Sequence, residues 1–296
     1  MVIIDSHSHL WLRQDTIVDG QVIRSLDSNP SRSMFFGEER QMLPPFMIDG
    51  VNSAEVFLSN MDYAQVGGAV VVQEVIDGNQ NDYLHSVMGK YPNRFFCMAM
   101  AFNLEEAVKA HDMGFRGIAI PGHRINGSLL DKMDMFKFME NEGMILSMCL
   151  GESPKQIGEM SEVIKECQHL KVAIGHFGMV TTPVFEQQVK LALDGSNVMI
   201  ESGGITWLYN SEFYPYPSAI KSIRQAADWV GMDRLMWGSD YPRTITAITY
   251  RMSYDFVLKT DELTEKDKAM FLGDNAYKFY GFKELPELKY IKNMSE

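Results

Sequence analysis

From Ser53 to Ser239, short apolar runs alternate with helix-like segments, and the connections between runs are too long for hairpins. This rhythm limits the folds open to the chain more than any other feature. The runs are Gly67–Glu74, Phe95–Ala101, Gly117–Ile120, Met144–Leu150, Lys171–His176, Asn197–Ser202 and Leu235–Ser239, and an eighth begins the chain at Ile3. Each reads as a buried strand, because continuous apolar character without a polar face needs cover on both sides. Helical segments lie between them. Ser153-Pro154 has the form of an N-cap followed by proline in the first turn, and Gly114 and Gly143 stand where helices stop. Strands each followed by a helix imply a parallel sheet of the α/β class, and eight such units predict a closed (β/α)8 TIM barrel. An open doubly wound sheet is the alternative, but no Gly-x-Gly-x-x-Gly turn follows a strand. A single barrel domain over 1–296 fits the length.

One stretch breaks the rhythm. Leu12 to Gly50 contains Asn29-Pro30 and Pro44-Pro45 as breakers and reads as a long irregular loop after the first strand. Loops of this length tend to be functional or mobile. It is expected to be a lid, a floppy insertion or a subunit contact. The tail from Glu284 reads as a surface extension.

The formal net charge of -12 disfavours nucleic acid and anionic membranes as partners and leaves a small molecule as the expected ligand. No apolar run is long enough to span a bilayer, and the N-terminus enters a strand without a signal-peptide core. Cys97, Cys149 and Cys167 are too scattered for a disulfide framework, which suggests a reducing, cytoplasmic setting. The 22 methionines read as flexible core filling.

Alternation along a strand sends His7 and His9 to the same side, and two neighbouring imidazoles make half of a metal site. His176 and Asp240 close two further apolar runs. On the barrel reading all four lie at C-terminal strand ends, the face where barrel active sites form. The competing readings are a hydrogen-bonded core pair for His7 and His9, a turn cap for Asp240 and a buried structural histidine for His176. Glu74, Cys149 or Glu152 could add a metal contact. Arg116, His123, Arg124 and Arg243 are candidates to grip a substrate carboxylate, though each could equally form a surface ion pair. Trp207 and Tyr241 are candidate pocket residues. Trp207 begins an aromatic run with Tyr209, Phe213, Tyr214 and Tyr216 that walls a pocket or meets another subunit. His85, His111 and His169 read as structural or solvated.

Asp5-Ser6-His7-Ser8-His9-Leu10-Trp11, Gly114-Phe115-Arg116-Gly117-Ile118, Ile174-Gly175-His176-Phe177-Gly178 and Gly238-Ser239-Asp240-Tyr241-Pro242 together resemble the amidohydrolase-related family of the amidohydrolase superfamily. The resemblance spans nearly the whole chain and implies a (β/α)8 barrel acting at a carbonyl or carboxyl carbon. Val71-Val72-Gln73 and Glu201-Ser202-Gly203-Gly204 resemble the branch of sugar lactonases and pyrone dicarboxylate hydrolase. Gly122-His123-Arg124-Ile125-Asn126-Gly127 is closer to the decarboxylases of carboxymuconate semialdehyde and resorcylate. Those decarboxylases imply a fifth-strand histidine ligand, and Ile145 to Glu152 holds none.

The expectation is therefore a metal-assisted hydrolase of a small cyclic ester, with one divalent ion, zinc first, held by His7, His9, His176 and Asp240. Asp240 would move the proton of water, and the histidines would polarise the carbonyl, with His176 stabilising the oxyanion. The pyrone hydrolase likeness leaves metal-free action open. A decarboxylase or hydratase of an aromatic-derived acid is the alternative reaction, and a non-catalytic ligand-binding barrel is the alternative class. A homo-oligomer is compatible with all of these.

Overall fold

The computed structural model describes residues 1–296. Strand β1 (Ile3–Ser8) is followed by four short strands, β2 (Asp15–Val18), β3 (Gln21–Leu26), β4 (Asn29–Phe35) and β5 (Glu38–Gln41). Helix α1 (Ala54–Tyr63) then starts at Ser53, whose side chain accepts from Val56 N. The βα succession continues with β6 (Val66–Val71), α2 (Asn81–Lys90), β7 (Phe95–Cys97), β8 (Ala99–Met100), α3 (Leu104–Asp112), β9 (Gly117–Ile120) and α4 (Met133–Asn141). It runs on through β10 (Ile145–Met148), α5 (Pro154–Glu166), β11 (Lys171–Ile174), α6 (Phe185–Lys190) and β12 (Val198–Glu201). Helices α7 (Ile205–Leu208) and α8 (Pro217–Val230), strand β13 (Leu235–Met236), and helices α9 (Met252–Lys259), α10 (Glu265–Ala269) and α11 (Asn275–Tyr280) complete the order.

The parallel strands form the predicted barrel. β1, β6 and β7 pair in that order, and β8 through β13 pair in sequence order. β7 and β8 occupy one barrel position, interrupted at Met98. The ring closes where Ser6 N donates to Trp237 O at 2.9 Å, Asp240 N donates to His7 O at 2.9 Å and Ser8 bridges Tyr241 in parallel. Its lumen is packed by Ile4, Val70, Ala119, Ile145, Ala173 and three methionines, Met98, Met199 and Met236. The N-terminal end is plugged by Phe279, Tyr280 and Phe282, with Lys171 Nζ at the start of β11 holding Phe279 O at 2.9 Å. The tail is not wholly a surface extension, since Leu285 packs on this plug. No helix is long and apolar enough to cross a membrane.

Simple alternation from Ile4 would send Ser6 and Ser8 into the lumen. However, β1 carries one residue more than β6 between the paired positions Asp5↔Ala69 and Ser8↔Val71. This bulge shifts the phase, so that Ile4 packs the lumen while His7 and His9 enter the mouth.

The stretch read as an irregular loop is instead an antiparallel sheet of four strands, β2 to β5. Asp19-Gly20 and Phe36-Gly37 make two of its three two-residue turns, with φ of 49° and 76°, and 50° and 85°. Positive φ at both turn positions matches the twist of the flanking strands. Asp19-Gly20 was the available signal; Pro30, taken as a breaker, lies within β4. Val18 and Ile23 bury against Ile76 in the turn after β6, which seats the sheet beside the barrel mouth.

Candidate active site

Asp5 builds the floor of the site. One carboxylate oxygen accepts the backbone N–H of Ser239 (2.8 Å) and of His7 (3.1 Å), and the other accepts the Ser239 hydroxyl (2.5 Å) and the Tyr250 hydroxyl (2.8 Å). Burial pushes Asp5 up to about 6 against the pull of these donors. The ends of β1 and β13 are thereby clamped together.

Above this clamp His7 Nε2 and His9 Nε2 stand 3.2 Å apart, and Asp240 Oδ1 lies 3.1 Å from His9 Nε2 and 3.8 Å from His7 Nε2. Ligands about 2.0–2.1 Å from a tetrahedral ion are separated by roughly 3.3–3.4 Å, so two imidazoles and a carboxylate at these spacings fit a divalent ion such as zinc. All three residues are buried. Asp240 Oδ2 is fixed by Trp207 Nε1 at 2.7 Å and Arg243 Nη1 at 3.5 Å. Burial opposes the ionisation of Asp240, but Arg243 and the surrounding histidines hold its carboxyl well below the usual range. It is therefore ionised across the neutral range.

The two imidazoles are supported differently. Behind His7, Glu201 Oε1 accepts from Nδ1 at 2.7 Å, and Glu201 Oε2 accepts from Gly203 N at 2.6 Å. A carboxylate on Nδ1 fixes the ring and keeps one proton there, so that Nε2 is the nitrogen that would give up its proton to bind a metal. Close approach here needs glycine at 238, where a Cβ would stand 2.6 Å from that of His7. Burial lowers the His7 pKa, but Glu201 and then Asp240 outweigh it and push the ring up to about 9. His9 goes the other way, to about 4, through burial and the neighbouring His7 charge, with Asp240 opposing. His9 Nδ1 has no hydrogen-bond partner, and the nearest acceptor, Asp77 Oδ2, is 3.7 Å away and also unpartnered. Asp77 lies in the turn after β6, where burial raises it to about 7 while Arg243 and Gln14 oppose.

His176 closes the β11 connection with φ at 29°, and Asp240 has φ at 57°. Two non-glycine residues in left-handed backbone at one site indicate strain held by the surroundings. His176 groups with His7 and Cys149 rather than with His9 and Asp240. Its Nδ1 donates to Gly203 O at 2.8 Å, and burial, followed by the His7 charge, lowers its pKa. A neutral ring held this way presents Nε2 as an acceptor. The expected oxyanion donor would need a second proton on His176, so the geometry argues against that role.

Outside this set lies a cavity of about 510 Å³ that also reaches His176 and Trp207. The four-stranded sheet supplies Phe35, Arg40, Gln41 and Met42 to its wall, so the insertion is an ordered side of the pocket. Arg124 and His123 also line it, tied to Glu74 at 2.9 and 3.3 Å. Burial opposes the ionisation of Glu74, but His123 and Arg124 bring its carboxyl down to about 2. Arg243 and Glu152 complete the polar rim.

Two expected pocket residues lie elsewhere. Arg116 immediately precedes β9 and is exposed at the N-terminal end of the barrel, in a separate depression with His111 and Glu142. Tyr241 is fully buried, with its ring stacked on Phe57 at 4.0 Å. Alternation explains this, because Asp240 faces the mouth and the next side chain turns outward. Of the aromatic run, only Trp207 lines the main cavity; Phe213, Tyr214 and Tyr216 line a second hollow of about 250 Å³. Sequence reasoning gives Glu201 only within the Glu201-Ser202-Gly203-Gly204 likeness, with no role, and passes over Asp77. Glu201 was visible as a strand-end acid in phase with the lumen residue Met199, whereas Asp77 becomes evident only in three dimensions.

Solved structures with similar folds include a probable 2-pyrone-4,6-dicarboxylic acid hydrolase of Acinetobacter baumannii with citric acid bound (20% identity, TM-score 0.67, covering 95% of this chain and 100% of that one). An amidohydrolase of Burkholderia multivorans with bound zinc has 14% identity and a TM-score of 0.70, covering 96% and 100%. The 5-carboxyvanillate decarboxylase of Novosphingobium aromaticivorans, complexed with manganese and a nitrobenzoic acid, has 18% identity and a TM-score of 0.57, covering 80% and 83%. Comparison with curated proteins gives no match. The amidohydrolase family profile matches residues 4–282, and the chain belongs to that family.

Proposed function

We propose that the protein is a metal-assisted hydrolase that opens a small cyclic ester bearing a carboxylate. The observation that carries this reading is the arrangement of Asp240, with Oδ1 against both imidazole Nε2 atoms and Oδ2 fixed by Trp207 and Arg243. A divalent ion held by His7, His9 and Asp240, with zinc favoured by this donor set, would supply Lewis-acid polarisation of the ester carbonyl. Asp240 is ionised and buried, so it takes the proton from the attacking water and returns it to the ring oxygen that leaves as an alcohol. His176 Nε2 accepts an O–H from water or a substrate hydroxyl and aligns it. Arg243, Arg124 and His123 hold the substrate carboxylate, and the two guanidiniums override the field of an acidic protein.

A second reading, decarboxylation of an aromatic acid, is favoured by the apolar side of the cavity, where Phe35, Ile76, Leu150 and Met179 could cover a ring. Cys149 at the end of β10, in place of an imidazole, weighs against it. Proton release over pyrone carboxylates, muconolactones and sugar lactones, with Asp240→Asn as control, is the test. Acid formation by wild type alone is the expected result. No acid, but carbon dioxide from aromatic acids, would replace hydrolysis with decarboxylation. Ligand binding without either product would make the barrel non-catalytic.

A further inference from the structure

Ion binding through Nε2 requires the remaining imidazole proton to sit on Nδ1. For His7 this is settled by Glu201. His9 has two competing options. Its Nε2 can donate to Asp240 Oδ1 at 3.1 Å, which would remove it as a ligand, or its Nδ1 can donate towards Asp77 Oδ2 at 3.7 Å. Both atoms of the second pair are buried and have no other partner. A buried donor or acceptor left unmet loses its hydration without replacement, so a small turn of the imidazole that joins the two is favoured.

Asp77 is aimed by residues outside the eight βα units. Its Oδ1 accepts from Gln14 Nε2 at 2.8 Å, and Gln14 Oε1 accepts from Ser33 Oγ of β4 at 2.7 Å. All three residues are buried. Gln14 fixes which carboxylate oxygen faces His9.

We infer that Asp77, oriented by Gln14 and Ser33, is the positioning residue that holds His9 in its Nδ1–H tautomer, so that the four-stranded sheet sets the ligand state of the metal centre. The inference rests on the reading that His7, His9 and Asp240 hold a divalent ion.

Asp77→Asn tests it. With Gln14 still donating, the new carbonyl oxygen stays on the Gln14 side and the amide NH2 faces His9 Nδ1. A donor there drives the ring to Nε2–H. Zinc affinity, measured by chelator competition on the full chain, should fall about 10–100-fold, the range for losing an outer-shell partner of a ligand. The double variant Gln14→Glu with Asp77→Asn reverses the polarity of the link, turns the amide oxygen back to His9 and should recover most of the loss. A merely structural role for Asp77 predicts no such rescue. Unchanged affinity in Asp77→Asn, or no recovery in the double variant, overturns the inference and leaves the hydrolase reading intact. If wild type binds no zinc, the metal reading fails on its own. The His9 tautomer in metal-free protein, read by long-range 1H–15N correlation, then decides: Nδ1–H in wild type and Nε2–H in Asp77→Asn supports the inference, and one tautomer in both overturns it.

Discussion

His7 and His9 leave the same strand two residues apart and meet the same carboxylate, yet they are held in different ways. His7 is braced from within the barrel, by Glu201 at the end of β12 across a closed 2.7 Å contact. His9 is braced from the insertion side, by Asp77 across an open 3.7 Å gap. One support stands at the end of a barrel strand, and the other depends on the sheet inserted between β1 and α1. The barrel thus supplies the fixed half of the centre, while the added sheet tunes the other half and walls the pocket.

The largest effect is expected at the carboxylate that both histidines share. Asp240→Asn should lower turnover by roughly 10²–10⁴-fold, the worth of a positioned acid–base group. Steady-state kinetics check this, and near-normal turnover would remove Asp240 from the chemistry. Next, Glu201→Gln should weaken zinc binding by about 100-fold, at the upper end for an outer-shell partner, because Gly203 N retains the amide oxygen and the amide nitrogen is left facing His7 Nδ1. It should also destabilise the fold by about 3–5 kcal/mol, since it breaks a buried charged pair. Chelator competition and denaturant unfolding measure the two effects, and a smaller affinity loss than in Asp77→Asn would invert the comparison.

Gln14→Leu removes only the group that orients Asp77. It should weaken zinc binding about fivefold, near the ~1 kcal/mol of one hydrogen bond. The smallest effect is one of pH. Glu74 is held at about 2 by His123 and Arg124 after burial is overcome, so its folded-state pKa lies below the 4.5 of a free glutamate. Its contribution to stability is complete above 4.5 and is lost as pH falls from there towards 2. Acid unfolding of Glu74→Gln should therefore be flatter than wild type over that window, and parallel curves would separate Glu74 from the cations of the pocket rim.

The barrel was legible because its strands are continuous apolar runs, and the period of two was enough to align His7 with His9. The same period, applied to Asp240, would have turned Tyr241 away from the pocket, and applied to Met199 it would have flagged Glu201. Arg116 was misread because a residue just before a strand lies at the opposite end of the barrel from one just after it. The four-stranded sheet escaped notice because its strands are short and largely polar, with only Asp19-Gly20 as a clear hairpin signal. Asp77 carries no local signal, since its meaning depends on Gln14 and His9, which lie far away in sequence.

The extra residue in β1 has an evolutionary consequence. Deleting Ser6 would give β1 and β6 equal numbers of residues between Asp5↔Ala69 and Ser8↔Val71, so plain alternation from Ile4 would then carry both imidazoles into the mouth. A single-codon deletion there removes the bulge and keeps the histidine pair, whereas a one-residue change between His7 and His9 sends the two rings to opposite faces. Among descendants of this chain, the two-residue spacing from His7 to His9 should therefore resist insertion and deletion more strongly than the spacing from Ile4 to His7.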